Sequence, residues 1–143
     1  MLLPLSALVL TTLFTGAAPY ISLVEHPVRL SLSDPAMLAQ WQPSYDRALP
    51  IQGALALLAA LAGAAAWYQT GAWPYLAAGT VMLVNWPFTL LAIMPVNKRL
   101  HAIAPQDAGP ASRALLVDWG RLHGVRSVLG SVATILLVWV LAV

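Results

Sequence analysis

A short stretch near the end of the chain, Asp118–Arg126, carries side chains suited to acid–base chemistry. On a helix that turns 100° per residue, Trp119, His123 and Arg126 lie within about 60° of one another. Gly130 falls on the same face and leaves room for a close neighbour. Imidazole titrates near neutral pH, so it can act as an acid or a base, whereas Arg126 either shares a site with His123 or only extends its charge towards the membrane surface. We therefore expect a polar site where this helix becomes apolar.

The rest of the chain has the composition of a membrane protein. Of its 143 residues, 60% are hydrophobic and 8% are charged, and the mean hydropathy is +0.79, whereas soluble domains carry roughly 25% charged residues. The absence of cysteine excludes disulfides, thiolate metal ligands and cysteine nucleophiles. A formal charge of +2, without a basic stripe, gives no indication of nucleic-acid binding. We predict one integral membrane domain over residues 1–143, with membrane lipid as its partner and no nucleic acid.

Four apolar runs predict an all-α, four-helix transmembrane bundle. The predicted spans cover about residues 2–24, 49–68, 73–95 and 126–143. Each run is long enough to cross a hydrocarbon core about 30 Å thick. The first run has no basic segment ahead of it, so we expect a retained helix and not a signal peptide. Small residues at three- and four-residue spacing in the second run favour close approach to a neighbouring helix.

The charged residues predict the orientation. All seven Lys and Arg and all five Asp and Glu lie in two segments, Glu25–Arg47 and Lys98–Arg126. In a four-helix chain the connections 25–48 and 96–125 are at the same end of the bundle. The positive-inside rule places that end in the cytoplasm, so both termini are expected on the other, non-cytoplasmic side.

Several polar and aromatic side chains lie within about two turns of this cytoplasmic edge, so we expect them to converge on one crevice. They are Glu25, His26, Arg29, Tyr45, Asn97, Lys98, His101, Trp119, His123 and Arg126, so the layer contains all three histidines. A carboxylate at the hydrocarbon edge is costly unless it is paired. Glu25 is therefore expected to pair with Arg29, four residues along the helix, or to meet Arg126.

Asn85 and Trp86 precede Pro87 near the middle of the third span. Pro87 frees the carbonyl of Leu83, for which Asn85 is a candidate replacement donor. Its amide is expected to make either a bond between helices or a polar contact to a ligand.

Three further expectations concern local structure. Pro43 is expected to end a short helix that starts at Asp34, with Ser44 capping the second span. Aromatic residues near the span ends are expected as interfacial anchors, namely Trp41, Tyr45, Trp67, Trp73 and Tyr75. Solvated positions are predicted for Lys98, Arg99, Arg113 and Arg121, the last paired with Asp118.

The histidines and carboxylates do not have the spacing of a helical metal site. The sequence contains no Glu-x-x-His and no His-x-x-x-His. Phosphate loops, Ser-His-Asp sets and dinucleotide fingerprints are absent as well. The sequence therefore favours neither a metal nor haem nor any other cofactor.

Five motifs in order carry a family resemblance over nearly the whole chain. They are Glu25-His26-Pro27-Val28-Arg29, Trp41-Gln42-Pro43-Ser44-Tyr45, Asn85-Trp86-Pro87-Phe88, Pro95-Val96-Asn97-Lys98-Arg99-Leu100 and Trp119–Arg126. This set resembles the anthrone-oxygenase-like family of small four-helix membrane proteins, and most closely its bacterial branch, a domain without an assigned activity. The resemblance implies a multi-pass protein of the bacterial inner (plasma) membrane.

The resemblance also implies a reaction. Fungal members oxidise anthrones to anthraquinones with dioxygen, without a bound cofactor. Transferred to this chain, His123 or Glu25 would remove a proton from an acidic CH₂ group, and Arg126 with Asn97 would stabilise the anion. The substrate would be a hydrophobic aromatic in a cytoplasmic-side crevice. The expected substrate-binding residues are Asn97, Trp119, Asn85, Trp86, Tyr45 and Arg29.

Two other interpretations stay open at this point. The polar layer can be a structural clasp, with Glu25 and Arg126 joined by His123 and Asn97, in a membrane scaffold or partner subunit. A conduit for small molecules is the third, although apart from Asn85 few polar residues would line it. Either arrangement is compatible with a homo-oligomer.

Overall fold

The computed structural model describes all of residues 1–143 and contains helices but no strands. Four helices are long and apolar enough to cross a membrane: α1 (Leu2–Leu30), α2 (Asp34–Thr70), α3 (Trp73–His101) and α4 (Pro110–Ala142). Each helix packs against the next in sequence, and α1 also packs against α4, whereas the diagonal pairs touch little. The predicted all-α four-helix fold is confirmed.

The connections alternate between the two ends of the bundle. Between α2 and α3 the chain reverses at Gly71, whose φ of 73° is the left-handed conformation that favours glycine. The charged connections, α1 to α2 and α3 to α4, lie at the opposite end. A single-turn 3₁₀ helix, Pro105–Asp107, interrupts the second of them.

The expected break at Pro43 is wrong, because α2 runs without interruption from Asp34 to Thr70 through both Pro43 and Pro50. Both prolines lie on the exposed side of α2. Their rings therefore do not meet the bundle interior, and the carbonyls that lose a donor are not enclosed in the core. Ser44 consequently does not cap a helix.

Two π turns widen α1 and α3 just before a proline. The turns span Ile21–Glu25 and Thr89–Ile93, and each ends two residues before a proline, Pro27 or Pro95. In each turn the N–H that follows bonds to a carbonyl five residues earlier. A proline ring clashes with the carbonyl four residues before it, and the wider turn relieves that clash. The kink expected at Pro27 takes this form.

The interior has two apolar halves of different character. The half at the termini is rich in alanine, whereas the half at the charged end holds larger side chains, including Trp41, Leu116 and Trp119. In the first half α2 and α3 approach closely at two glycines. A Cβ at Gly63 would lie 2.8 Å from the carbonyl oxygen of Tyr75, and one at Gly79 would lie 2.9 Å from that of Ala60. The predicted close approach is confirmed.

The expected interfacial aromatics divide into two groups. Trp67 and Trp73 are exposed near the ends of their helices, as predicted. Trp41, Tyr45 and Tyr75 are buried, so their assignment as anchors is wrong. Because α2 continues through Pro43, Trp41 and Tyr45 stay on one inward face, where their rings stack with centroids 5.0 Å apart.

The predicted solvation of the basic residues holds for Lys98, Arg99 and Arg121, and the surface pair of Arg121 with Asp118 is present at 3.1 Å. It holds only in part for Arg113, whose side chain is 34% exposed but is also bonded within the protein. That guanidinium donates to Asp34 at 2.5 Å and to the carbonyls of Leu30 and Leu32 at 2.6 Å. Arg113 therefore ties α4 to the connection between α1 and α2.

The Gly63 contact can be tested by adding one methyl group. We expect Gly63→Ala to lower the free energy of unfolding in detergent by about 1–3 kcal/mol, because a Cβ there meets backbone atoms that cannot move aside. Gly16→Ala is the matched control, since a Cβ there meets nothing within 4 Å, and alanine should be neutral or slightly stabilising. Equal stability of both variants, measured by circular dichroism during denaturant titration, would contradict the close packing.

Candidate active site

Buried polar side chains form a layer between the two apolar halves of the bundle, near the charged end. Its members come from all four helices: His26, Arg29, Gln52, Asn85, Thr89, Asn97, His123, Arg126 and Ser127. Buried polar groups are costly unless they are satisfied. The layer is therefore where a functional site is expected, and two cavities that share Arg126 open within it.

The larger cavity has a volume of about 190 Å³ and lies between α2 and α3. Leu49, Gly53 and Ala56 contribute from α2, and Asn85 and Trp86 contribute from α3. Other lining residues are exposed on the flanks of the two helices, namely Pro50, Ala54 and Leu90. These positions lie on helices that are long and apolar enough to cross a membrane, and the mouth of the cavity opens on the exposed flank between them.

Arg126 from α4 is the one charged residue that lines this cavity. Its side chain is 3% exposed, and it forms neither an ion pair nor a hydrogen bond within the chain. Its guanidinium carbon lies 5.4 Å from the centroid of the Phe14 ring, a favourable cation–π contact. A buried cation without a counter-ion is costly. The site is thus suited to an oxygen atom that carries negative charge.

Of the two partners expected for Glu25, Arg29 is the one observed. The Oε1 of Glu25 accepts hydrogen bonds from Arg29 at 2.7 Å, Ser44 at 3.0 Å and Gln40 at 3.2 Å. The expected contact with Arg126 is wrong, because Arg29 is closer along α1 and occupies the carboxylate. All three donors bond to the same oxygen, Oε1, so this oxygen is committed to the contact between α1 and α2.

The smaller cavity has a volume of about 20 Å³ and shares Leu49 and Arg126 with the larger one. His123, Trp119 and Tyr45 line it, together with Glu25, Arg29 and Gln52. This volume is sufficient for one water molecule among several polar partners. His123 lines only the smaller cavity, and Leu49 and Arg126 line both.

His123 is fixed on two sides. Its ring stacks on Trp119, with centroids 4.9 Å apart and planes 24° apart. Its Nδ1 is 2.9 Å from the hydroxyl of Ser22 on α1. The shared face predicted for Trp119, His123 and Arg126 is inward, and the gap predicted at Gly130 is occupied by Phe14.

Asn85 and Asn97 differ in position. Asn85 lines the larger cavity and donates to the carbonyl of Met82 at 3.2 Å, not to that of Leu83 as expected. Its Oδ1 is buried without a partner. Asn97 lines neither cavity and donates to the hydroxyl of Tyr45. Direct anion binding by Asn97 is therefore not supported by its position, which instead holds the Tyr45 ring.

Some members of the layer were not anticipated from sequence. Gln52 and Thr89 are single polar residues within apolar runs, a signal comparable to that of Asn85. The sequence does not single out Ser22 in this way, because the direction of its side chain depends on the π turn in which it lies. Gly120 makes room for the ring of His26. No group of three or more His, Asp or Glu side chains is positioned to hold a metal ion.

Comparison with known proteins adds to this geometry. Residues 41–136 match the family model described as anthrone oxygenase. The chain belongs to the anthrone oxygenase family. An anthrone oxygenase from Claviceps purpurea (strain 20.1) is 40% identical over 62 residues, which cover 38% of this chain and 36% of that protein. The chain therefore spans about a third of the length of that curated relative. No solved structure matches it.

The range that matches the anthrone oxygenase family model contains all the residues of α2, α3 and α4 that line the two cavities. It contains His123 and Arg126, and it excludes Glu25 and Arg29 on α1. Membership of the bacterial branch is a prediction that these comparisons do not address.

The pairing pattern predicts opposite effects of two charge removals on stability. Glu25→Ala should lower the free energy of unfolding in detergent by about 3 kcal/mol, because it leaves the buried Arg29 without its counter-ion. Arg126→Met should leave stability unchanged or higher, because no partner is lost. The exposed Arg121→Ala serves as control. Strong destabilisation by Arg126→Met would indicate a partner that the structure does not show.

Proposed function

We propose that this chain is an oxygenase that converts an activated CH₂ group of a hydrophobic, anthrone-like aromatic into a carbonyl, with dioxygen as the oxidant. The observation that carries the proposal is Arg126, a buried cation without a counter-ion at the floor of an apolar cavity. Membership of the anthrone oxygenase family supports the same reaction class.

The cavity suits a flat apolar substrate that arrives from the bilayer. A cavity of about 150 Å³ accommodates benzene, so the larger cavity, at about 190 Å³, takes the reacting part of a fused-ring molecule. The remainder would extend through the mouth beside Trp86 and Leu90. In this pose the substrate carbonyl points towards Arg126, since no other cation is available to it.

Deprotonation is the step in which Arg126 contributes most. When the CH₂ group of an anthrone-like ketone loses a proton, the negative charge moves to the carbonyl oxygen. A guanidinium at that oxygen stabilises the anion more than the neutral ketone, and its effect is large in a site that excludes water. The positive charge of Arg126, which has no counter-ion in the free protein, is therefore balanced by the negative charge that forms on the substrate oxygen during the reaction.

His123 is the proposed base. It lines the smaller cavity, which meets the larger one at Arg126 and Leu49. A base can act through one intervening water molecule, and the smaller cavity has room for one. Glu25 is assigned a structural role instead, because its carboxylate already accepts three hydrogen bonds.

Oxygen enters after the anion has formed. The carbanion donates electrons to dioxygen and a C–O bond forms, giving a peroxide anion that recovers the proton from the His123 imidazolium. The hydroperoxide then loses its second C–H proton and hydroxide as water, which leaves a carbonyl. The sum is CH₂ plus O₂ to C=O plus H₂O, so no step requires a resident cofactor.

The proposed setting is the bacterial plasma membrane. All seven Lys and Arg residues lie at one end of the bundle, which the positive-inside rule assigns to the cytoplasm. Both cavities are near that end. The substrate site is thus a cytoplasmic-side crevice with its mouth in the hydrocarbon region.

A membrane scaffold or partner subunit is the second candidate function. The hydrogen-bonded group of Glu25, Arg29, Gln40 and Ser44 joins α1 to α2 and supports a clasp. It does not involve Arg126, so the clasp and the proposed active site are separable by mutation.

Turnover of an anthrone by the purified protein tests the proposal directly. We expect quinone formation above the spontaneous background, a loss of about 10²–10³-fold in kcat for Arg126→Met and a loss of at least about 10²-fold for His123→Ala. Arg126→Lys should retain part of the activity, because it keeps the charge but not the planar group.

The controls are Arg121→Ala and His101→Ala, which change an arginine and a histidine outside both cavities. Both should retain wild-type turnover. Full activity in Arg126→Met, or no turnover by folded wild-type protein, would remove the oxygenase proposal and favour the scaffold.

Filling the larger cavity should interfere with substrate binding. Gly53 lines it, and a Cβ there would lie 3.7 Å from the Trp86 ring, an ordinary contact distance. We expect Gly53→Leu to fold normally and to lower kcat/KM at least about tenfold through occupied volume. Gly16→Leu, on the exposed side of α1, should have no effect. Unchanged kinetics in Gly53→Leu would place the substrate elsewhere.

A further inference from the structure

A chain of three hydrogen-bonding side chains connects α1 to α4 behind His123. The hydroxyl oxygen of Ser22 is 2.9 Å from Nδ1 of His123 and 2.8 Å from the hydroxyl oxygen of Ser127. Ser22 lies in the π turn of α1, whose altered register brings this hydroxyl towards α4. It is the one side chain that hydrogen-bonds to His123.

Ser22 has one hydroxyl proton and two neighbours, so two arrangements are available. In one, His123 carries its proton on Nδ1 and donates to Ser22, which donates to Ser127. In the other, Ser127 donates to Ser22, which donates to an unprotonated Nδ1, and the ring proton is on Nε2. Only the first leaves Nε2 with a lone pair that can accept a proton.

The charges around the smaller cavity favour the first arrangement. Nε2 of His123 has no hydrogen-bond partner in the chain and, unlike Nε2 of His26, is not fully enclosed. The cavity that His123 lines is also lined by Arg29 and Arg126, and by Glu25, whose carboxylate is paired with Arg29 at 2.7 Å, so the net charge around the cavity is positive. An unprotonated Nε2 is attracted to these cations, and it can accept a hydrogen bond from a water molecule between them. An N–H at this position would instead face the N–H donors of the two guanidinium groups.

We propose that Ser22 is a positioning residue that holds His123 in the tautomer protonated on Nδ1, which leaves Nε2 as the basic atom. The consequence for turnover rests on the proposed function, but the tautomer does not. When Nε2 takes the substrate proton, the imidazolium keeps donating Nδ1–H to Ser22, and the proton returns from Nε2 to the peroxide. Ser22 neither gains nor loses a proton in the cycle.

The tautomer can be measured without substrate, on the full-length protein in detergent with ¹⁵N-labelled histidine. The signals of His123 are identified by their loss in His123→Ala. We expect wild-type His123 to show a protonated Nδ1 and an unprotonated Nε2. In Ser22→Ala the ring should move to the Nε2-protonated form, whereas Ser22→Thr, which keeps the hydroxyl, should retain the wild-type pattern. Ser131→Ala is the control, because that hydroxyl bonds only to a carbonyl of its own helix.

Kinetics provide a second readout that distinguishes positioning from folding. In serine proteases a wrong histidine tautomer costs about 10⁴-fold in kcat. Here the stacking on Trp119 is retained, so we expect Ser22→Ala to lose about tenfold in kcat with KM unchanged, and Ser22→Thr to recover most of it. A raised KM with unchanged kcat would contradict the assignment.

Two spectroscopic results would overturn the proposal: an Nε2-protonated His123 in the wild type, or an unchanged tautomer in Ser22→Ala. Because neither depends on turnover, they remain decisive even if the wild-type protein oxidises no anthrone. Conversely, the expected tautomer together with absent turnover would refute the oxygenase reaction and leave the role of Ser22 intact.

Discussion

The cost of burying Arg126 without a counter-ion is the constraint on which the rest of the structure depends. Its charge lies between two apolar halves, and the surrounding polar groups are committed elsewhere: Glu25 to Arg29, and Tyr45 to Asn97. A protein selected only for stability would pair or replace such a residue. The position of the guanidinium therefore depends on the packing around it, which includes the ring of Phe14.

The same local motif, a π turn followed by a proline, places polar side chains in the layer from both α1 and α3. In α1 and in α3 a π turn ends two residues before a proline, and a buried polar side chain follows that proline by two residues: Arg29 after Pro27, and Asn97 after Pro95. The wider turn changes the helix register, so side chains on either side of it share a face that a regular helix would not give them. The two helical hairpins therefore follow one structural plan.

Fold class, span number and the location of the polar layer were predictable because they follow from hydropathy and charge, which act over long segments. The inward face of α4 was predictable as well, since it needs only the helical period. Individual pairings were not. The choice of Arg29 over Arg126 as partner of Glu25, and the approach of Ser22 to His123, depend on side-chain geometry around a π turn. The burial of Trp41 was missed because Pro43 was expected to break a helix that tertiary packing keeps continuous.

The position of the cavity mouth changes which concentration matters to the protein. Pro50, Ala54 and Leu90 border the opening on the exposed flanks of α2 and α3, so a ligand of the proposed site would enter it from the lipid and not from water. Occupancy is then set by the mole fraction of the ligand among lipid or detergent molecules. Adding empty detergent micelles at a constant total amount of ligand lowers the mole fraction of ligand in the micelles. The apparent affinity then becomes weaker, although the aqueous concentrations of protein and total ligand are unchanged.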